Sequence, residues 1–158
     1  MDHQQKDTIL KLLKDNELNK SYNNRYCFSY QDFLDPADPF TDFSCENLEG
    51  KQGYIDLIEN LLSADESAKI FVEVYGYEKG NNEQFIKPFI YADTLIIFSR
   101  LSLTEIEHIF NEPEDIFPSD IGEVTDLQQI FLVGSSGNLI PGAELSKDDY
   151  SIYYCWWD

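Results

Sequence analysis

The feature that most constrains the fold is a stretch rich in branched and aromatic residues in the middle of the chain, residues 68–99. It begins AKIFVEVYGYE and ends EQFIKPFIYADTLIIFS, with the polar sequence KGNN between the two parts. Such side chains are enriched in strands, and a short Gly/Asn segment is typical of a turn, so the stretch predicts paired strands. The alternation in IFVEVY predicts a strand buried on one face, and Pro88 predicts an edge or a bulge beside it.

Three amphipathic segments predict helices. Apolar residues recur at helical spacing over residues 6–19 and residues 53–63, which places one apolar stripe on each helix. The third helix is predicted to begin after Ser102, because Ser102 and Glu105 have the spacing of a capping box. Pro113 is predicted to end it.

Two further segments are predicted to be irregular. Residues 20–50 mix Asn, Pro and Asp with aromatic residues, which indicates a long loop pinned to the body of the protein. Residues 112–126 are acidic and predicted to be a second loop. Strands are expected in residues 130–142, around a Gly-rich turn, and in residues 151–157. The whole chain, 1–158, is therefore predicted to be a single α+β domain, with about three helices on one face of a mostly antiparallel sheet.

The chain carries 30 acidic and 11 basic residues, for a formal net charge of −19. The excess lies in residues 26–66, with ten acidic residues against one basic, and in residues 101–158, with twelve against one. Disorder is not expected, because the chain is 42% hydrophobic and 15% aromatic. A small domain needs a net charge of only about 2–8 for solubility, and self-repulsion destabilises the compact state. The excess charge therefore indicates a function.

A surface of this sign repels nucleic acid and anionic lipid and attracts basic proteins. We therefore expect a protein partner, with no direct binding to nucleic acid or to a membrane. The N-terminal sequence MDHQQKDTILKLLKDNE lacks the apolar core of a signal peptide, so we expect a cytoplasmic protein. Its cysteines, Cys27, Cys45 and Cys155, are then expected to be reduced structural thiols.

The sequence predicts neither a metal site nor a catalytic site. Asp35, Asp38, Asp42 and Glu46 could offer oxygen ligands, but their spacing does not match a calcium loop. The chain has only two histidines, which argues against a transition-metal cluster and against a catalytic triad. The Gly-rich segment 134–137 leads into a predicted strand and lacks the lysine of a phosphate-binding loop. No metal, cofactor or enzymatic activity is predicted.

Two acidic stretches combine carboxylates with apolar residues, a pattern typical of an interface with an apolar centre and a polar rim. The first set of candidate partner-binding residues is Asp35, Asp38, Asp42 and Glu46. The second set is Glu112, Glu114, Asp115, Phe117, Asp120, Glu123 and Asp126. In both stretches the apolar residues could instead simply hold the loop against the core. The terminal sequence YYCWWD is predicted to fill the core of the sheet, and a tryptophan facing outward there would be an interface anchor.

In size, charge and class the chain resembles the bacterial immunity proteins that neutralise toxins of the polymorphic and contact-dependent growth inhibition types. The resemblance implies a tight one-to-one complex with a basic toxin domain, a nuclease in particular, because nucleases bind a polyanionic substrate. An acidic inhibitor would be steered onto such a surface and would cover it. The alternatives are a nucleic-acid mimic that inhibits DNA-binding proteins, an adaptor, or an enzyme whose site the sequence does not show.

Overall fold

An eight-stranded, mostly antiparallel sheet forms the centre of the computed structural model, which describes residues 1–18, 24–44, 50–78, 89–113 and 116–158. The helices are α1 (His3–Leu18), α2 (Tyr30–Phe33), α3 (Gly50–Ala64), α4 (Leu103–Asn111) and α5 (Gly142–Leu145). The strands are β1 (Arg25–Ser29), β2 (Thr41–Phe43), β3 (Lys69–Glu78), β4 (Phe89–Ser99), β5 (Asp120–Glu123), β6 (Ile130–Val133), β7 (Leu139–Pro141) and β8 (Ser151–Trp156). The architecture is a single α+β domain, as predicted.

The strands lie in the order β5-β8-β4-β3-β1-β6-β7, and β2 lies beside the first half of β4. Two pairings are parallel, β1 with β6 and β2 with β4, and the others are antiparallel. The predicted central strands are confirmed as β3 and β4. The turn KGNN and Pro88 lie outside the described residues.

The three longer helices pack on one face of the sheet, which we call the inner face. Apolar residues of α1, α3 and α4 share one buried cluster with residues of the central strands. The predicted capping box is confirmed: the Ser102 hydroxyl accepts from the Glu105 backbone N–H, and the Glu105 carboxylate accepts from the Ser102 N–H. Helices α1 and α3 each begin three residues before their predicted start.

A second, smaller core lies on the outer face of the sheet. It contains Cys27, Phe71, Ile96, Phe98, Ile130, Tyr150 and Ile152, and it is covered by parts of residues 124–150. The prediction that β3 is buried on one face is therefore wrong for its first half. Phe71 packs edge-on against Phe98 on the outer face, with ring centroids 5.5 Å apart, while Ile70 and Val72 face the helices. The outer core covers only part of the outer face.

The prediction of irregular loops is wrong for four short elements. Residues 20–50 contain β1, α2 and β2, and residues 112–126 contain β5. Strand β1 lies between β3 and β6, with its central residues buried on both faces, so long-range pairing decides its structure. Strand β5 has the burial pattern of an exposed edge and pairs with β8, so its own sequence carries little strand signal.

A buried carboxylate joins the turn after α3 to the end of β4. Asp65 accepts hydrogen bonds from the hydroxyls of Ser67 (2.6 Å) and Ser99 (2.8 Å) and from the backbone N–H of Arg100 (2.9 Å). Burial alone would raise the pKa of Asp65, but these hydrogen bonds outweigh it and hold the pKa well below its usual range. The ionised carboxylate therefore stabilises the folded chain.

Asp65→Asn is expected to lower the free energy of unfolding at neutral pH by about 2 kcal/mol, because hydrogen bonds to a charged group are lost. The folded pKa is depressed, so this contribution is fully present above the unfolded pKa of about 4 and is lost as the pH falls below it. Urea unfolding of both proteins at several pH values should show the difference shrinking in acid. A difference that stays constant down to about pH 2.5 would contradict this role.

Candidate interaction surface

The first acidic stretch is held together by intramolecular ion pairs. The side chain of Asp38 is only 8% exposed, and its Oδ2 lies 3.0 Å from Lys6 Nζ. Its Oδ1 accepts a hydrogen bond from the Phe40 N–H at 2.9 Å. Burial alone would raise the pKa of Asp38, but the hydrogen bonds from Phe40 and Lys6 lower it overall. Asp38 therefore stabilises the loop and offers little surface to a partner.

Lys51 closes the same loop from α3. Its Nζ donates to the carbonyl oxygens of Asp35 and Asp38, at 3.1 and 2.5 Å, and to Thr41 Oγ1 at 2.7 Å. The Asp35 carboxylate accepts from the N–H of Ala37, two residues along the chain, an arrangement typical of a turn. Of the other two candidates in this set, Asp42 is half-buried on β2, and Glu46 lies outside the described residues.

The second acidic stretch leaves its described carboxylates exposed. Glu112, Asp120, Glu123 and Asp126 are all exposed, and the Phe117 side chain between them is 56% exposed. Within the part of the chain that the structure describes, Asp120, Glu123 and Asp126 form no ion pair with Lys or Arg. Glu114 and Asp115 lie outside the described residues. We call residues 112–126 the acidic segment.

The apolar residues of the acidic segment fall into two groups: some hold the segment against the core, and one is exposed to solvent. Ile116 and Pro118 are buried, and the Ile116 carbonyl accepts a hydrogen bond from the indole N–H of Trp157 at 2.9 Å. Phe117, between them, points outward. The neighbours of Phe117 thus pin the segment to the core and hold this ring in solvent.

The uncovered part of the outer sheet face carries exposed aromatic rings. Tyr75 of β3 is 61% exposed and stacks on Tyr91 of β4, with ring centroids 6.4 Å apart and an interplanar angle of 25°. Trp156 of β8 is 36% exposed. Tyr75, Tyr91 and Tyr154 are not among the predicted partner-binding residues, although Tyr75 falls at an outward position in the alternation of β3. Of the two terminal tryptophans, Trp156 faces outward and Trp157 is buried.

Each of three aromatic side chains on this face donates a hydrogen bond to a carboxylate. Tyr91 Oη donates to Glu78 Oε2 at 2.6 Å, and Trp156 Nε1 donates to Asp93 Oδ2 at 3.0 Å. Tyr154 Oη donates to Asp120 Oδ2 at 2.8 Å. The hydrogen bond to Glu78 raises the pKa of Tyr91 to about 12, and the one to Asp120 raises the pKa of Tyr154. The tyrosines thus remain protonated donors, and each of the three carboxylates has its position fixed beside a ring.

Two local features of the sheet produce this arrangement. In β4, Thr94 pairs with Glu73 and Ala92 with Val74, so Asp93 is an extra residue in a bulge. A bulge re-aims a side chain, and here the carboxylate of Asp93 reaches the indole of Trp156. In β5, an added Cβ at Gly122 would lie 2.8 Å from the ring of Tyr154, so the glycine allows that ring to lie across the strand.

We call the set Tyr75, Tyr91, Tyr154, Trp156, Glu78, Asp93 and Asp120 the aromatic face. It joins the acidic segment at Asp120, which lies opposite Trp156 in the β5–β8 pairing. Arg25, on β1, is already bound by Glu73, whose two carboxylate oxygens lie 2.6 and 2.7 Å from its guanidinium nitrogens. The hydrogen bond with Glu73 raises the pKa of Arg25.

Two cavities are lined by described residues. One, of about 430 Å³, is a largely apolar groove lined by Ala64, Leu101, Thr104, Glu105, His108 and Ile109. The other, of about 370 Å³, lies beside the paired Arg25 and Glu73. Neither lining holds a serine or cysteine next to a base, the arrangement that nucleophilic catalysis requires.

The described ranges also contain no group of three or more His, Cys, Asp or Glu side chains that could hold a metal ion. None of the described helices has the length and apolar character needed to cross a membrane. Cys27 and Cys155 are free, buried thiols, and burial raises the pKa of each well above the usual range. Cys45 lies outside the described residues.

No protein-family model, curated protein or solved structure matches this chain. Similarity to known proteins therefore neither supports nor opposes the resemblance to immunity proteins. The features that bear on function are the acidic segment and the aromatic face.

Proposed function

We propose that the protein is an inhibitor of the immunity-protein class, which binds and neutralises a basic toxin domain, a nuclease in particular. The observation that carries the proposal is the exposed acidic segment. Asp120, Glu123 and Asp126 are exposed in the same segment as the exposed ring of Phe117, and no lysine or arginine of the described chain forms an ion pair with them.

The contrast between the two acidic stretches supports this proposal. Asp38 in the first stretch is paired with Lys6, so its charge contributes to folding. In the described part of the acidic segment, Asp120, Glu123 and Asp126 have no such ion pair, and like charges at this density destabilise the compact state. Their effect is favourable only when a cationic surface approaches, because complementary fields accelerate association and exclude partners of the wrong charge. Phe117 supplies the apolar anchor that such an interface needs at its centre.

We further propose that the complex forms in the cytoplasm and that the chain has no catalytic role of its own. The free thiols of Cys27 and Cys155 fit a reducing compartment. A nuclease is the favoured partner because an enzyme that binds a polyanion needs a cationic active site, which a carboxylate-rich surface can cover.

Co-expression with the product of a neighbouring gene, followed by affinity capture of the tagged chain, tests this function. At a physiological salt concentration of about 0.15 M we expect a basic protein to be retained in equal amount and its toxicity to the host cell to disappear. An unrelated acidic protein of similar charge is the control bait. If no basic protein is retained, the proposal fails. If several unrelated DNA-binding proteins are retained, with a steep dependence on salt, the nucleic-acid mimic replaces it.

A further inference from the structure

The aromatic face has the chemistry of a surface that binds cationic side chains. Its described carboxylates are Glu78, Asp93 and Asp120, and each is hydrogen-bonded to an aromatic donor. A cation that contacts one of these rings therefore also meets an ionised carboxylate beside the ring. Attraction to the ring face and attraction to the carboxylate then act on the same charge.

The exposed rings are held in place before any partner arrives. Tyr75 stacks on Tyr91, and the indole N–H of Trp156 donates a hydrogen bond to Asp93. The side chains of Tyr75 and Trp156 are therefore each held in one orientation. Rigid aromatic side chains lose little conformational entropy on binding, which is why tyrosine and tryptophan are favoured in binding surfaces. At 61% and 36% exposed, Tyr75 and Trp156 also keep apolar area that a partner would remove from water.

Arginine fits this surface better than lysine. Its planar guanidinium stacks on aromatic rings, donates to a carboxylate with two N–H groups at once, and is more weakly hydrated than an ammonium. The pairing of Arg25 with Glu73 shows the same two-point geometry within this protein. A lysine would offer a compact, strongly hydrated charge and would gain less from the rings.

We propose that the aromatic face is an arginine-binding surface, where guanidinium groups of the basic partner stack on Trp156 and Tyr75 and pair with Asp93 and Glu78. This inference rests on the proposed function, since it assigns the part of the protein that a basic partner contacts. Asp120 makes the surface continuous with the acidic segment, so steering by that segment delivers the partner to the rings.

The two tryptophans allow a direct test with a short oligo-arginine peptide as the probe. The indole N–H of Trp156 lies on the aromatic face, whereas that of Trp157 is buried and donates to Ile116. In heteronuclear NMR spectra we expect the indole N–H resonance of Trp156 to shift as the oligo-arginine peptide is added, until the shift reaches a plateau. The indole N–H resonance of Trp157 should not move. Oligo-lysine of the same length should bind more weakly. A uniform response of the acidic residues without a Trp156 shift would overturn the proposal.

Point variants distinguish binding by the aromatic face from attraction by the negative charge of the whole protein. Trp156→Ala is expected to weaken oligo-arginine binding about fivefold, as the loss of a cation–ring contact would. Asp93→Asn, which keeps the ring and removes the charge, should weaken it as well. The matched controls are Leu139→Ala and Glu59→Gln, which alter an exposed apolar side chain and an exposed carboxylate that belong neither to the aromatic face nor to the acidic segment, and they should change affinity less than about twofold. Equal losses in both sets would overturn the proposal.

The same variants keep this inference distinguishable from the proposed function. If affinity capture retains a basic partner and Trp156→Ala binds that partner as tightly as the wild type does, the aromatic face is not its contact and only this inference fails. If oligo-arginine binds at Trp156 but no basic protein is retained, the proposed function fails while the surface chemistry stands.

Discussion

Trp157→Ala is expected to lower the free energy of unfolding by about 3–5 kcal/mol, the range for removing a large aromatic side chain from a core. The residue is 4% exposed, and its ring lies 5.7 Å from Phe43, 5.2 Å from Tyr54 and 6.3 Å from Phe110, centroid to centroid. Its indole N–H also donates to the carbonyl of Ile116, so the truncation leaves both a cavity and an unsatisfied acceptor. Urea-induced unfolding followed by circular dichroism measures the loss.

The adjacent tryptophan supplies the control. Trp156→Ala removes the same side chain from the opposite face of β8, where it is partly exposed, and should cost about 1 kcal/mol or less. If the two variants lose equal stability, Trp157 does not hold the position in the core that its ring contacts indicate.

Reversing the charge of the acidic segment with Asp120→Lys, Glu123→Lys and Asp126→Lys together is expected to slow association with the basic partner about 10- to 100-fold. The physical reason is the loss of the field that steers the partner. The free energy of unfolding should change by less than about 1.5 kcal/mol, because all three side chains are exposed. Stopped-flow association rates at low and physiological salt, with unfolding curves of the same proteins, measure both effects.

A second triple variant controls for net charge alone. Asp15→Lys, Glu59→Lys and Glu66→Lys change the charge by the same amount at exposed positions on α1, on α3 and in the turn after α3. This variant should associate at nearly the wild-type rate. If both triple variants slow association equally, the acidic segment has no special place in binding. If the first triple variant mainly loses stability, the segment is structural.

Patterns that are complete within a short stretch could be predicted from the sequence. The branched residues of β3 and β4 and the Ser102–Glu105 capping box each indicate their structure through neighbours along the chain. The terminal sequence also allows an outward tryptophan, since successive side chains of a strand point to opposite faces. The sequence alone did not show that Trp156, and not Trp157, is the one in solvent.

Features that depend on contacts distant in sequence could not be predicted. Strand β1 is short and flanked by polar residues, and its central place depends on β3 and β6. The spacing of Asp38 in the sequence made it equivalent to the other candidate carboxylates of the first acidic stretch. In the fold, Lys6, 32 residues away, forms an ion pair with it. The bulge at Asp93 and the aromatic face beside it likewise follow from the pairing of three strands. The sequence shows where the acidic excess lies. It does not show which carboxylates are engaged in ion pairs within the fold and which can contact a partner.

The most direct test of the account is the catalytic activity of the captured basic protein, titrated with the purified chain at physiological salt. We predict that activity falls linearly and disappears at one equivalent of the chain, and that the charge-reversed acidic segment shifts the titration to much higher concentrations. The contradicting result is full activity when the concentration of the wild-type chain is about ten times the dissociation constant of the complex. It would show that this acidic surface does not neutralise the basic partner.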